Sequence, residues 1–128
     1  MHEMPLAGAR ILVVEDEYYL AEEVSSILAR IGAEILGPVP TVDQANALIA
    51  ANPRIDGAVL DVNLRGELVF DLADALHARG VPFAFATGYD GDALPHRFAD
   101  RVVLVKPVRP DALVEALGAL VAETRSRE

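Results

Sequence analysis

The chain predicts an α/β fold, a doubly wound five-stranded parallel sheet with helices on both faces. Three observations carry this expectation. Five short apolar runs alternate with segments of helical periodicity, the pattern of parallel strands joined by crossover helices. The runs are continuously apolar rather than alternating, as strands covered on both faces are. Each strong run stops abruptly at a polar residue. Crossovers in such a sheet are right-handed, and the common five-stranded order is 2-1-3-4-5.

The elements follow in order. Ile11-Leu12-Val13-Val14 is the first strand, ending at Glu15-Asp16-Glu17. From Tyr18 the period becomes helical, with Leu20, Val24, Ile27, Leu28 and Ile31 on one face and Gly32 as the stop. Glu34 to Val39 is a weaker second strand closed by Gly37-Pro38. Thr41-x-x-Gln44 reads as a capping box opening a helix that Asn52-Pro53 ends. Gly57 to Asp61 is the third strand, and Arg65-Gly66-Glu67 reads as a loop. Val69 to Arg79 is helical, with Gly80 as its stop; Pro82 to Ala86 and Arg101 to Val105 are the fourth and fifth strands. Pro110-Asp111 opens a last helix on Leu113, Ala116, Leu117, Leu120 and Val121, and the charged tail from Glu123 is expected to fray. Gly88 to Asp100 is rich in Gly, Pro and acids, so the fourth helix is expected to be short or mobile, confined to Ala93–Phe98 with Pro95 in its first turn.

At 128 residues, 52% hydrophobic and 24% charged, this is one globular domain with a substantial core. Eleven basic against twenty acidic residues give a formal charge of −9. That argues against binding nucleic acid or anionic lipid, both of which ask for a basic surface. There is no cysteine, which removes thiolate metal sites and thiol nucleophiles. No apolar run approaches the roughly 18 residues of a membrane span, and residues 1–8 lack the features of a secretory signal. The expectation is a cytoplasmic protein.

The polar interruptions fall at one edge of the predicted sheet. Glu15 and Asp16 follow the first strand, Asp61 ends the third, and Thr87 and Lys106 follow the fourth and fifth. Singly, each has an ordinary explanation: a solvated acid at a helix start, an N-cap, a surface hydroxyl or ammonium. Together they place three carboxylates near one point, where they repel one another unless a cation intervenes. An all-oxygen set selects a hard ion, Mg²⁺ with Mn²⁺ as a substitute. A carboxylate beside such an ion can attack a phosphoryl group, while an ammonium and a hydroxyl stabilise the transferred oxygens. No strong general base for hydrolysis is evident, so an acyl phosphate is expected to persist.

Val14-Glu15-Asp16, Leu60-Asp61-Val62-Asn63, Ala86-Thr87-Gly88 and Val105-Lys106-Pro107 resemble the motifs of the receiver domains of bacterial two-component response regulators. The resemblance covers about residues 9–124, so residues 1–128 are expected to be a single receiver domain with the flavodoxin-like receiver fold. It implies that Asp61 accepts a phosphoryl group from a sensor histidine kinase or a histidine phosphotransfer protein. It implies that Asp16 binds Mg²⁺ directly, Glu15 through water, Asp61 as a further ligand and Asn63 through its backbone carbonyl. Thr87 and Lys106 would hold the phosphoryl oxygens, and the peptide before Pro107 would be cis. Two positions are distinctive. Val103 stands where receivers usually carry an aromatic switch residue. Phe85-Ala86-Thr87-Gly88-Tyr89 looks like the single-domain receiver subfamily whose fourth strand reads Phe-Ala-Thr-Gly, and Tyr89 is a candidate for part of the switch.

The implied function is a stand-alone switch, relay or phosphate sink acting through protein contacts, with an unknown downstream partner and no enzymatic turnover beyond its own phosphorylation and dephosphorylation. A pseudo-receiver that binds partners without phosphorylation is the alternative that Val103 keeps open. A haloacid-dehalogenase-like phosphotransferase also uses Asp, Thr and Lys. It wants Asp-x-Asp, however, and position 63 is Asn.

Overall fold

The computed structural model describes residues 6–64, 66–88 and 94–126. In chain order these form β1 (Arg10–Val14), α1 (Tyr18–Arg30), β2 (Glu34–Val39), α2 (Val42–Ala51), β3 (Gly57–Asp61), β4 (Asn63–Leu64), β5 (Glu67–Leu68), α3 (Phe70–Ala78), β6 (Phe83–Thr87), a 3₁₀ turn (His96–Phe98), β7 (Val102–Val105) and α4 (Pro110–Ser126). The main sheet is parallel, in the order β2-β1-β3-β6-β7. Counting only its own strands this is 2-1-3-4-5, the predicted winding, which reverses between β1 and β3.

Strand periodicity divides the core in two. Leu12 and Val14 pack with the inner faces of α2 and α3, including Ile49, Leu72 and Leu76. Ile11 and Val13 point the other way, toward Val24 and Leu28 of α1 and Leu113, Leu117 and Val121 of α4. Successive residues of a strand face opposite sides, so a strand buried on both needs the unbroken apolar run of β1. In β6 the alternation is by size. Phe83 and Phe85 fill the α2–α3 side, while Ala84 and Ala86 leave room for α4 on the other.

Local chemistry sets the helix ends. Thr41 caps α2, its Oγ1 accepting the Gln44 N–H at 3.1 Å, and satisfies one of the orphan donors of the first turn. Gly32, at φ +91°, lets the chain leave α1 and enter β2.

One expectation holds and three need correction. The helix due before β7 is short, as expected: among the described residues it is a 3₁₀ turn. Phe98 anchors it, 2% exposed, with its ring centroid 5.4 Å from that of Phe85 and 5.9 Å from that of Phe70. Burial of that one ring anchors the turn. The segment around Gly66 is not a plain loop: β4 and β5 pair antiparallel, closed by the Gly66 N–H donating to Asn63 Oδ1 at 2.7 Å. Gly37-Pro38 does not close β2 but lies within it, where the register against β1 shifts. Finally, α4 does not fray at Glu123. It runs to Ser126, because Val121 is fully buried and Arg125 reaches back to Asp56 at 3.9 Å. Among the described residues, no helix is long and apolar enough to cross a membrane.

Candidate functional site

The carboxyl ends of β1, β3, β6 and β7 converge at the edge where the winding reverses, the place where open α/β sheets build their sites. From β1 through β3 and β6 to β7 each strand starts one residue beyond its neighbour, so their last residues fall close together. Asp61 lies opposite Ala86, and Thr87 opposite Val105. Glu15 leaves β1 with its N–H donating to the Val39 carbonyl at 3.0 Å, and Lys106 leaves β7 with its N–H donating to the Thr87 carbonyl at 2.7 Å. Four side chains are thereby brought to one point from distant parts of the sequence.

Glu15, Asp61 and Thr87 are buried, and Asp16 is half-buried. One carboxylate oxygen from each of Glu15, Asp16 and Asp61 lies within 4.8 Å of the others. The Lys106 ammonium sits 2.9 Å from Glu15 Oε1 and 3.1 Å from Asp61 Oδ2. The remaining oxygens take backbone donors. Glu15 Oε2 accepts the Glu17 N–H at 3.1 Å, and Asp61 Oδ1 accepts the Asn63 N–H at 3.2 Å. The β4–β5 hairpin thus begins on the amide that orients Asp61.

The electrostatics follow. Burial pushes the Asp61 carboxyl up to about 7, the Glu15 carboxylate beside it adds to the rise, and Lys106 opposes it. Burial pulls Lys106 the other way, but its bonds and charge attraction to Glu15 and Asp61 prevail and hold the ammonium above its ordinary range. Three carboxylates against one ammonium leave an excess of two negative charges. An all-oxygen set carrying that excess fits a hard divalent cation, and Mg²⁺ suits an open site with few protein ligands.

Glu15, Asp16, Asp61 and Lys106 therefore form one cluster, with Thr87 alongside. Asn63 contributes its N–H to Asp61 and its side chain to the hairpin. The Lys106–Pro107 peptide is cis. Val103 lies on the edge strand β7, opposite Phe85 and exposed. Tyr89 lies outside the described residues. Sequence reasoning did not find the Glu15–Lys106 pair or the Asn63–Gly66 bond. The first joins residues 91 positions apart with no local pattern between them. The second had a faint signal in Asn-x-x-Gly, a common turn spelling.

No family model matches the sequence, and no curated protein does. Solved structures do. SdrG from Sphingomonas melonis Fr1 is 43% identical, over 89% of this chain and 97% of that one, with a TM-score of 0.79. A BeF3-activated conformation of SdrG, from Pseudomonas melonis Fr1, is 42% identical over 90% of this chain and 98% of that one, at 0.74. A CheY-like response regulator receiver domain protein from Methanospirillum hungatei JF-1, 24% identical, shares the fold over 95% of this chain and all of that one, at 0.82. Fold and site together describe a signalling domain rather than a classical turnover enzyme. The chain belongs to the receiver domains of response regulators.

Proposed function

We propose that residues 1–128 form a single receiver domain, its core spanning about 9–124, that takes a phosphoryl group onto Asp61. The donor would be the phosphohistidine of a sensor histidine kinase or a histidine phosphotransfer protein. The observation that carries this reading is the Asp61 carboxylate itself, buried at a strand end and held by the Lys106 ammonium and the Asn63 N–H. Such a group is preorganised for attack and already placed beside a cation. An Asp61 oxygen forms the bond to phosphorus as the phosphorus–nitrogen bond breaks, and that electron pair stays on the departing imidazole. The product is an acyl phosphate. Glu15, Asp16, Asp61 and the Asn63 carbonyl would hold Mg²⁺, with Mn²⁺ able to substitute. The ion would supply charge neutralisation at the transferred oxygens. Lys106 and Thr87 would read the phosphoryl group once it is in place.

Phosphorylation replaces the single charge of the Asp61 carboxylate with close to two on the acyl phosphate, adding about one negative charge beside Glu15 and Asp16. Lys106 must then choose between Glu15 and the phosphoryl oxygens, and that choice reaches β6 and β7 through the Thr87–Lys106 backbone bond. Output would pass through protein contacts in the cytoplasm, as a switch, a relay or a phosphate sink. The BeF3-activated form described for SdrG supports the reading, since beryllofluoride mimics a phosphoryl group on a carboxylate. The subfamily with Phe-Ala-Thr-Gly-Tyr in its fourth strand is the proposed home of this chain, with Tyr89 as part of the switch.

The test is an intact-mass spectrum after incubation with Mg²⁺ and acetyl phosphate. One phosphoryl group, dependent on Mg²⁺ and absent from Asp61→Asn, is expected. An adduct that survives in Asp61→Asn would place the chemistry elsewhere. No adduct together with no response to beryllofluoride would favour the second reading, partner binding by the unmodified domain. Val103 in place of an aromatic is the observation behind that second reading.

A further inference from the structure

We propose that the amino edge of the sheet, opposite the acidic cluster, carries a site for a small phosphate-type oxyanion. Three segments that only the folded sheet brings together form a polar cleft of about 230 Å³ there. They are the turn before β3, the turn before β6 and the last turns of α4. Arg54, Arg79 and Arg125 line the cleft, and Asp56 is the one acid lining it among the described residues. In a chain of charge −9, three guanidiniums around one carboxylate make a local excess of positive charge.

The carboxylate is heavily shared. Asp56 Oδ2 accepts the Arg10 N–H at 2.8 Å and Arg54 at 3.0 Å, and lies 3.9 Å from Arg125. Arg79 is anchored differently, donating to the carbonyls of Ile49, Asn52 and Pro53 at 2.6, 2.8 and 3.1 Å. That geometry fixes its guanidinium at the wall of the cleft without neutralising it. A guanidinium presents five donors in a planar fork, which matches the spacing of phosphate oxygens. Arg79 is thus a rigid cation, and Arg54 and Arg125, both partly exposed, can close on an anion from either side. The cleft is polar and open, so an oxyanion could enter and remain partly solvated. A ligand here would bridge α4 to the turns before β3 and β6 and stiffen the end of the molecule away from Asp61.

Amide chemical-shift titration with inorganic phosphate and with pyrophosphate tests this, in metal-free buffer with ionic strength matched by chloride. Saturable shifts are expected at Arg54, Asp56, Gly80, Val81 and Thr124, with pyrophosphate binding tighter. Arg54→Gln combined with Arg125→Gln should weaken binding about ten-fold or more. Both positions are exposed enough to leave the fold intact, and Arg125→Gln alone should give a smaller loss. Asp61→Asn should bind like wild type, which separates this site from the proposed phosphoacceptor. Shifts that rise linearly without saturating, or equal affinity in the double variant, would overturn the proposal. So would preference for an acidic peptide such as polyglutamate over pyrophosphate, which would make the cleft a protein-docking surface instead.

Discussion

One ammonium, Lys106, serves two buried carboxylates, at 2.9 Å from Glu15 and 3.1 Å from Asp61, and that sharing sets the residue-scale behaviour of the site. Lys106→Ala would leave both acids buried without their cation. Removing one member of such a set is costly, and with Lys106 itself partly solvated the loss should be about 1–3 kcal/mol in metal-free urea unfolding. The protein should still fold, because the apolar core does not depend on this contact. Its response to a phosphoryl analogue should be blunted, and a wild-type response would remove Lys106 from the reading role. Asp61 carries the pH dependence. Its carboxyl is raised from 3.8 to about 7 in the fold, so the folded state binds the proton more tightly than the unfolded chain does. The contribution is fully present below about pH 4 and is lost as pH rises through 7. Asp61→Asn cannot ionise and escapes that loss. In chelator it should be more stable than wild type at pH 8, by on the order of 4 kcal/mol, with the gap narrowing toward pH 4.5. A gap of the same size at both pH values would show that Asp61 is not strained by its burial.

Among the described elements, the 3₁₀ turn before β7 rests on a single buried residue. Phe98 packs against Phe70, Phe83 and Phe85, and nothing else in the 3₁₀ turn is buried. Truncating a buried Phe typically costs about 3–5 kcal/mol. Phe98→Ala should fall near the lower end, about 3 kcal/mol by denaturant midpoint, since a short surface turn can partly collapse onto the gap. The paired Arg97–Asp74 contacts at 2.9 Å also tie the turn to α3. The guanidinium holds the Asp74 carboxyl below its usual range. Being exposed, that tie cannot substitute for the ring. This element was only half legible in sequence. Pro95 and the glycines before it marked a weak helix, but Phe98 differed in no local way from the other phenylalanines. The β4–β5 hairpin was hidden for a similar reason: two-residue strands carry no periodicity.

For the whole molecule, charge is the governing quantity. Much of the −9 is spread over solvated surfaces, but three acids are drawn to one point by the strand ends. A divalent cation bound there would favour the folded state by mass action, by about 2.7 kcal/mol at a hundred times its dissociation constant. The melting temperature should therefore rise with Mg²⁺ until saturation, and rise less in Asp16→Asn, as read by differential scanning calorimetry. A flat response would count against the proposed metal site.

The linear chain by itself determined the winding. Uninterrupted apolar runs can be stable only as strands covered on both sides, and alternation with helical periods leaves few ways to cover them. It also determined which edge would be charged, because an apolar strand can admit a buried carboxylate only where it ends. Contacts set by distance rather than by period were left to the tertiary structure. Lys106 bridges Glu15 and Asp61, Phe98 anchors the turn before β7 on rings of α3 and β6, and Arg125 reaches Asp56 in a cleft that Arg79 also lines. Each joins residues from different turns or strand ends. Such residues are neighbours only after the sheet has closed, and nothing in their local sequence specifies the partner.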